Sequence, residues 1–544
     1  MRGPSIDVAV VGGGPGGSAA ATLLAQQGWR VVVLERERFP RPHVGESLLP
    51  ASLPILRDLG VLEAVEAAGF VRKLGATMVW GSDPDPWSWY FRETNRSYPH
   101  SYQVERDRFD HLLLENAAAT GVEVRQGERV SSVEFLDGGV RLQAESGPVD
   151  ARFVVDASGQ AGLLARQLRL RQNDAFFQNL AVYAYFDGAA HLPAPNDGNI
   201  FIESYGQGWV WKIPLSAGRT SVGAVVDHAT GGAGIADLGA DAFLRAQIDH
   251  APRTAALLSA ARMTDGPHVA RDWSYTATDL VGPSHVLIGD AACFVDPLFS
   301  SGVHLALSSA VLGSAYVTTA LRRPQMTGPA GQEYGARYLQ QYRHFRELAR
   351  LFYASNHHAD SYFWEARRIT GGSDSPRHAF VRAVAGQPPQ GYERSVLQRG
   401  DAPPAFANAV SAVEAVRAER EQRWARLLPD GATLGTAPIL STVPRLAPGA
   451  TLERRPVLEA GEFVWADVLA GPDRPEGTPL SPLVARLLRS LDRDRPVREL
   501  LTALAAEADA DVDADADVDV ATLVPLALAA LRVLYVDGAV LIDA

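Results

Sequence analysis

A chain of 544 residues, 47% of them hydrophobic, has the composition of an ordinary globular protein and the length for two or three domains with ample core. Its net charge of −12 argues against a nucleic-acid partner, and its single cysteine, Cys293, excludes an internal disulfide, which suits a cytoplasmic location. The N-terminus enters the first strand with no signal-peptide pattern, and no uninterrupted apolar run reaches membrane-spanning length.

Ile6 to Val11 is a short, β-branched run of the kind a buried parallel strand needs. Gly12, Gly14 and Gly17 then fit G-x-G-x-x-G. Gly12 permits the tight turn, Gly14 lets backbone approach a pyrophosphate, and Gly17 lets the helix lie close to the strand. Ala19 to Gln27 reads as that helix, with Gly28 as its cap. Val31 to Glu35 reads as a second strand, ending on a carboxylate that can accept from a ribose diol. This order of parts predicts dinucleotide binding.

Arg36 to Pro50 is polar and proline-punctuated, a loop leading into a helix with Ser47 as a candidate N-cap. Its arginines either meet cofactor phosphates or lie in solvent. Ala51 to Ala68 reads as one amphipathic helix ended by Gly69. Met78 to Phe91 is crowded with aromatics, which line an apolar pocket or fill sheet core. Tyr102 to Asp110 precedes a helix through Ala119. Phe153 to Gly159 is a second strand running into a glycine turn, adding to the parallel sheet.

Ala181 to Val226 alternates like an antiparallel sheet, and Trp209 and Trp211, two apart, share one face of it. His285 to Ala292 is a third strand, running into Gly289-Asp290. A long small-residue helix follows from Val303 to about Leu321, and the amides of Ser301, Gly302 and Val303 make a helix-start anion site. Cys293 reads as a buried small side chain. Tyr338 to Ser355 is helical. His357 and His358 are adjacent and so do not share a helix face. With no H-E-x-x-H and no cysteine cluster, no metal is expected.

From about Gly386 the composition shifts to proline, arginine and alanine, as in a linker or wrapped arm. Aspartate then fills every second position from Asp509 to Asp519, which reads as a disordered loop because like charges on one face repel. Thr522 onward returns to helix, then a hairpin-like Tyr535 to Val540.

One count stands out. Only Lys73 and Lys212 are lysine among 51 lysines and arginines. Codon bias explains the imbalance. A lysine that survives it marks a place where arginine fails, because a buried amine can lose its proton and guanidinium cannot; chance survival is the other reading.

These pieces together resemble a flavin-dependent halogenase. The turns at Gly12 to Ser18 and Gly289-Asp290 are shared by flavin monooxygenases at large. More specific are Trp209-x-Trp211-x-Ile213-Pro214, similar to the halogenase W-x-W-x-I-P motif, and Gly69 to Ala76, similar to the segment bearing the family's catalytic lysine. The resemblance runs from residue 3 to about residue 385. It implies an α/β fold: a Rossmann-like FAD-binding domain of the flavin monooxygenase type, an antiparallel substrate sheet and a mainly helical C-terminal region. The segments expected are a core over 1–385, a linker or arm over 386–475, and a small helical or winged-helix-like module over 476–544.

The resemblance also implies an enzyme using FAD, supplied as FADH2 by a separate flavin reductase. The residues implied to hold it are Gly12, Gly14, Pro15, Gly17, Ser18, Glu35, Arg36, Arg41, Ser47, Arg106, Asp290, Pro297, Gly302 and Val303. Chloride is expected at the amides of Ser301 and Gly302. It is oxidised there to hypochlorous acid, which passes a wall of Trp209, Trp211, Ile213, Pro214 and Phe299. Lys73 beyond the wall captures the chlorine or holds the acid. Lys212, on the opposite face from both tryptophans, is expected to be solvated or flavin-side.

Two departures narrow the substrate. Tryptophan halogenases read Gly-Thr-Ala-Gly-Trp in the first turn, where this chain reads Gly14-Pro15-Gly16-Gly17-Ser18. They also carry a glutamate where this chain has Phe299. A phenolic, pyrrolic or carrier-protein-tethered acyl substrate is therefore expected rather than free tryptophan, with no nucleic acid and no membrane involved. The rival expectations are a flavin-dependent aromatic hydroxylase and a flavin-holding scaffold without turnover.

Overall fold

The strand Ile6–Val11 lies at the centre of an eight-stranded sheet, parallel to Val31–Glu35 on one side and to Gly147–Asp156 on the other. Its Val8, Ala9 and Val10 are fully buried, as a continuous apolar run covered on both faces must be. His285–Leu287 and Glu123–Gln126 extend the parallel pairing outward. In the computed structural model the described residues are 6–80, 85–354, 404–429, 436–471, 474–491, 495–510 and 520–543. Ser355, His357, His358, Tyr362 to Trp364, Pro388-Pro389 and Asp511 to Asp519 lie outside them.

The helix Pro15–Gln26 packs on one side of this sheet with Arg106–Ala119 and with Gly302–Arg322. By length and composition Gly302–Arg322 could cross a membrane, yet 89% of its apolar window is buried inside the fold, as a core helix is.

A second eight-stranded sheet carries the order Cys293–Phe294, Arg262–Ala277, Arg171–Asp187, Arg219–Asp227, Gly208–Pro214, Ile200–Tyr205, Gly75–Val79 and Trp87–Tyr90. Ile200–Tyr205 and Gly75–Val79 pair in parallel; its other pairings are antiparallel. One face of it, with Val182, Val210 and Val222, packs against Phe243, Leu244 and Ile248 of the helix Ala240–Asp249.

Four expectations about elements change. The helix expected over Ala51 to Ala68 is a short 3-10 turn, Pro50–Ser52, and two helices, Leu53–Asp58 and Leu62–Ala67. Gly60, at φ +77, breaks it. Ser47 does not cap a helix, because a β-bridge to Gln103 holds it in extended chain. The helix expected from Tyr338 starts at Thr327, and its Tyr334 and Tyr338 are fully buried. At the C-terminus there is no local hairpin: the helix runs Val520–Val536, and Val540–Asp543 pairs with the distant Val443–Leu446.

Contacts divide the chain into two compact units, Met1–Ser395 with Ala460–Glu462, and Val396–Glu459 with Phe463–Ala544. The second has its own apolar core, built on Trp424, Ile439, Leu488, Leu501 and Leu531. It contains the three-stranded sheet of Thr451–Glu459, Glu462–Gly471 (from Phe463 on) and Arg474–Pro479 and the helices Pro404–Leu427, Pro482–Ser490, Val497–Ala510 and Val520–Val536.

Candidate active site

The nucleotide turn is fixed by two glycines that tolerate no side chain. A Cβ on Gly12, at φ +104, would lie 2.4 Å from the Ala157 carbonyl oxygen, and one on Gly17 would lie 1.9 Å from that of Gly12. Gly14, in extended backbone, precedes Pro15 at the head of the helix. Ser18 turns inward and donates to the Gly13 carbonyl (2.9 Å). Glu35 is buried. It accepts from Gly13 N (2.5 Å) and Glu37 N (2.8 Å), one bond per oxygen, which leaves each oxygen a lone pair for a diol.

The arginines separate into distinct positions. Arg36 is exposed beside Glu37. Arg41 lies over the Phe39 ring, 3.3 Å from Asp110, and its buried Nη1 makes no well-aligned hydrogen bond. A Cβ on Gly14 would stand 3.4 Å from the other Arg41 terminal nitrogen, so an anion seated on this turn meets that guanidinium. Arg106 is bidentate to Asp110 (2.7 and 2.9 Å), and its Nη1 donates to the carbonyls of Val44 (2.8 Å) and Gly45 (3.3 Å). Its donors therefore clamp the loop before Ser47. Asp290 is pushed up to about 6 by burial, against the pull of Arg106 and Arg171, and among the described residues its carboxylate makes no hydrogen bond, which suits a polyol hydroxyl. A glycine cradle that a Cβ would fill, an orphaned guanidinium nitrogen and this carboxylate together fit a dinucleotide such as FAD.

Asp110 is fully buried between Arg41 and Arg106. Asp110→Ala would leave two guanidinium groups without their anion, and we expect it to destabilise the protein by about 3–5 kcal/mol, read as a lowered urea midpoint.

Lys73 ends the short strand Val71–Lys73, paired with Ser101–Gln103. It is 2% exposed, and Nζ donates to Ser47 Oγ (2.7 Å) and to the Leu48 carbonyl (3.1 Å), with the Phe91 ring 5.4 Å away. Among the described residues no acid acts on it, so burial pulls the amine down to about 7. Lys73 lines a narrow cavity, partly open to solvent, whose free space is about that of one water molecule. Trp89 and Phe91 form one wall, Ile200 and Ile202 another, and Leu49 a third; Phe299 and Ser300 reach it from the turn before Gly302–Arg322. Lys73 is the one charged side chain among the described residues lining it.

That turn is held from below. Asp296, 1% exposed, accepts from Leu298 N (3.0 Å) just after Pro297, from Asn179 Nδ2 (3.0 Å) and from the Tyr353 hydroxyl (2.8 Å). Trp209 Nε1 donates to the same Tyr353 oxygen (2.6 Å). Burial raises Asp296 to about 6. Ser300 then takes a left-handed φ of 57, and Ser301 is the N-cap residue ahead of Gly302 and Val303.

Trp209 and Trp211 are buried on one face, 6.0 Å apart. They do not line the cavity. Trp211 is the cross-strand neighbour of Ile202, which does, so Trp209, Trp211 and Ile213 stand on that face beside the wall, and Pro214 ends the strand. Lys212 is not solvated. It is 2% exposed beside Val222 and Phe201, because helices cover that face, and burial lowers it to about 8. Cys293 is buried and raised to about 12, the opposite of an activated thiol. Among the described residues no group of three His, Cys, Asp or Glu side chains could hold a metal.

Sequence reasoning gave no role to Asp110, Asp296 or Tyr353. Asp110 was visible as an i,i+4 partner of Arg106, and Asp296 as an Asp-Pro turn opener. Nothing local pointed to Tyr353.

Comparison with known proteins gives a consistent picture. A family model described as tryptophan halogenase matches residues 7–99 and 89–397. A tryptophan 2-halogenase of Chondromyces crocatus is 37% identical over 67% of this chain and 71% of its own. A 1H-pyrrole-2-carbonyl-[peptidyl-carrier protein] chlorinase of Pseudomonas fluorescens is 33% identical over 64% of this chain and 84% of its own. Among solved structures, the myxobacterial chondrochloren halogenase CndH, described as an FAD-dependent halogenase, is 42% identical, with a TM-score of 0.61 over 70% of this chain and 90% of its own.

Proposed function

This chain belongs to the tryptophan halogenase family of flavin-dependent halogenases, and from that premise we propose that it chlorinates an electron-rich phenolic, pyrrolic or carrier-tethered acyl substrate through Lys73. FAD is its cofactor. The chemistry that bound reduced FAD supplies is activation of dioxygen and, with chloride, production of hypochlorous acid. A flavin reductase provides the reduced form.

The observation that carries the reading is one buried amine, drawn down to about 7, lining a cavity that Phe299 and Ser300 also line. The amides at Ser301 and Gly302 hold chloride. Trp211 and Ile202, neighbours across two strands, keep a bulky aromatic away from the flavin side while a small oxidant passes. At Lys73 the unprotonated amine takes the chlorine; carbon of an electron-rich ring then takes it as the N–Cl bond breaks, nitrogen keeping the bonding pair and receiving the proton the ring loses.

The substrate class follows from the walls. An α-amino acid zwitterion needs a carboxylate and a cation to pair with both its charges, and among the described residues lining the cavity Lys73 alone is charged. The relative named for tryptophan does not carry that substrate to this chain, which has Phe299 in place of the family's glutamate. Walls that are apolar apart from one amine suit a neutral or tethered ring.

Protonation gives a sign. Below pH about 7 the amine is charged and has no lone pair, so chlorination climbs with pH through about 7 and levels above it. A rate of chlorinated product that is flat or falls across this interval contradicts the role given to Lys73. Purified protein with a flavin reductase, NADH, chloride and a panel of phenols and pyrroles, read by mass spectrometry, tests the activity. Chlorine added to carbon supports it. NADPH consumption without a reductase, with oxygen added instead, marks an aromatic hydroxylase.

A further inference from the structure

Segment 46–49 runs as extended chain beside Ser101–Gln103. Leu48 N donates to the Tyr102 carbonyl (3.0 Å) and Val104 N to that of Glu46 (2.7 Å), while Ser47 is bridged to Gln103. Side chains directly opposite in an antiparallel pairing share a face, so Val71, Gln103 and Ser47 form one row and Lys73 and Ser101 the next. Lys73 reaches across that second strand to meet Ser47 Oγ at 2.7 Å and the Leu48 carbonyl at 3.1 Å. The row is anchored at its centre, where Gln103 Nε2 donates to the Gly198 carbonyl (3.1 Å). On the other side of the segment, Glu46 accepts from the Tyr185 hydroxyl (2.8 Å).

A tetrahedral nitrogen with two hydrogens committed to fixed acceptors has its remaining position fixed as well. We propose that Ser47 is the positioning residue of Lys73: with the Leu48 carbonyl it anchors two Nζ hydrogens and aims the third tetrahedral position into the cavity. On an ammonium that position is an N–H that holds the oxygen of hypochlorous acid. On the neutral amine it is the lone pair. There the N–Cl bond forms as the Cl–O bond breaks; hydroxide leaves with the bonding pair, takes one amine proton and departs as water. The inference rests on the chlorine-carrying role of Lys73, and it adds what makes capture faster than escape.

The chain offers an unusually direct test, because it has two lysines and both are buried. In flavin-free protein labelled at lysine Cε, two side-chain signals titrate. In Ser47→Ala the Lys73 signal is expected to titrate at lower pH, because a bond favouring the charged form is gone, while that of Lys212 stays. Ser47→Thr, which keeps the hydroxyl, restores the Lys73 titration. Ser47→Cys, of similar volume and a weaker acceptor, falls between and serves if the alanine variant does not fold. In turnover, chlorinated product per oxygen consumed is expected to fall about 10- to 100-fold in Ser47→Ala, with hypochlorous acid caught by an added trap, and to recover in Ser47→Thr. A Lys73 titration and product ratio unchanged in Ser47→Ala, while Lys73→Met is inactive, overturns the inference. Full chlorination by Lys73→Met instead overturns the function proposed for Lys73, and the titration then still decides whether Ser47 holds the amine.

Discussion

Lys73→Arg and Lys73→Met are expected to bind FAD as the wild type does and to lose chlorination, by on the order of 10³-fold. Arginine keeps a positive charge but cannot offer an unprotonated nitrogen at neutral pH, and its longer planar head does not fit a side chain 2% exposed between Ser47 and the Leu48 carbonyl. Methionine keeps the length and removes the nitrogen. The pair separates charge from nucleophilicity, since arginine tests the first and methionine the second. Stability moves the other way. Burial lowers the amine from its unfolded value of 10.5 to about 7, so below pH about 7 the folded protein bears the whole cost of burying a charge, and that cost fades as pH rises from about 7 toward 10.5. Lys73→Met is therefore expected to unfold later than the wild type at pH 6 and to show less of this pH dependence, as groups kept for chemistry rather than stability do. Chlorination by Lys73→Arg at the wild-type rate contradicts the assignment.

Gly17→Ala removes FAD. The added carbon would sit 1.9 Å from the Gly12 carbonyl oxygen and 3.1 Å from Ala157 Cβ, where a backbone carbonyl and a methyl fixed to its own backbone leave nothing to swing aside. The helix must back away from the strand Ile6–Val11, and the amides of its first turn leave the pyrophosphate. We expect affinity for FAD to fall at least about 100-fold, about 2.7 kcal/mol, measured by flavin fluorescence on titration. Gly28→Ala is the control: Gly28 has nothing within 4 Å of its added carbon, so it strains only its own backbone at φ +86. Equal FAD binding by Gly17→Ala and wild type would contradict the close approach.

These two positions differ in how far the sequence revealed them. Gly12, Gly14, Gly17 and Glu35 were legible because strand, turn, helix and acid are contiguous, and each glycine answers a local steric demand. The parallel pairing of Ile6–Val11 with Gly147–Asp156 was legible for the same reason, as a second apolar run ending in glycine. The family resemblance pointed to Lys73, and the scarcity of lysine supported it. Its surroundings were hidden, since they come from residues 47–48, 101–103 and 200–202, which only the folded chain brings together.

Ser47 shows why local signals misled. A serine before an apolar helix looks like a cap, but a strand pairing to Gln103 claimed its backbone and Lys73 its hydroxyl. Arg106 was expected to hold the cofactor; in the fold its fork goes to Asp110, one turn along. Lys212 was expected to be solvated or flavin-side because it alternates with two tryptophans. Alternation sets which face a residue takes and says nothing of what covers that face; here the helix Ala240–Asp249 does. The tryptophans share a face as their spacing required, one strand back from the cavity they were expected to line.

The most direct measurement separates oxidant production from chlorination in time. Protein is turned over with reductase, NADH, oxygen and chloride but no aromatic substrate, then stripped of flavin and small molecules and given a phenol. Chlorine carried on the Lys73 amine predicts chlorinated phenol from the wild type, at most one equivalent per chain, and none from Lys73→Met. No product from the wild type, or equal product from both, would contradict it.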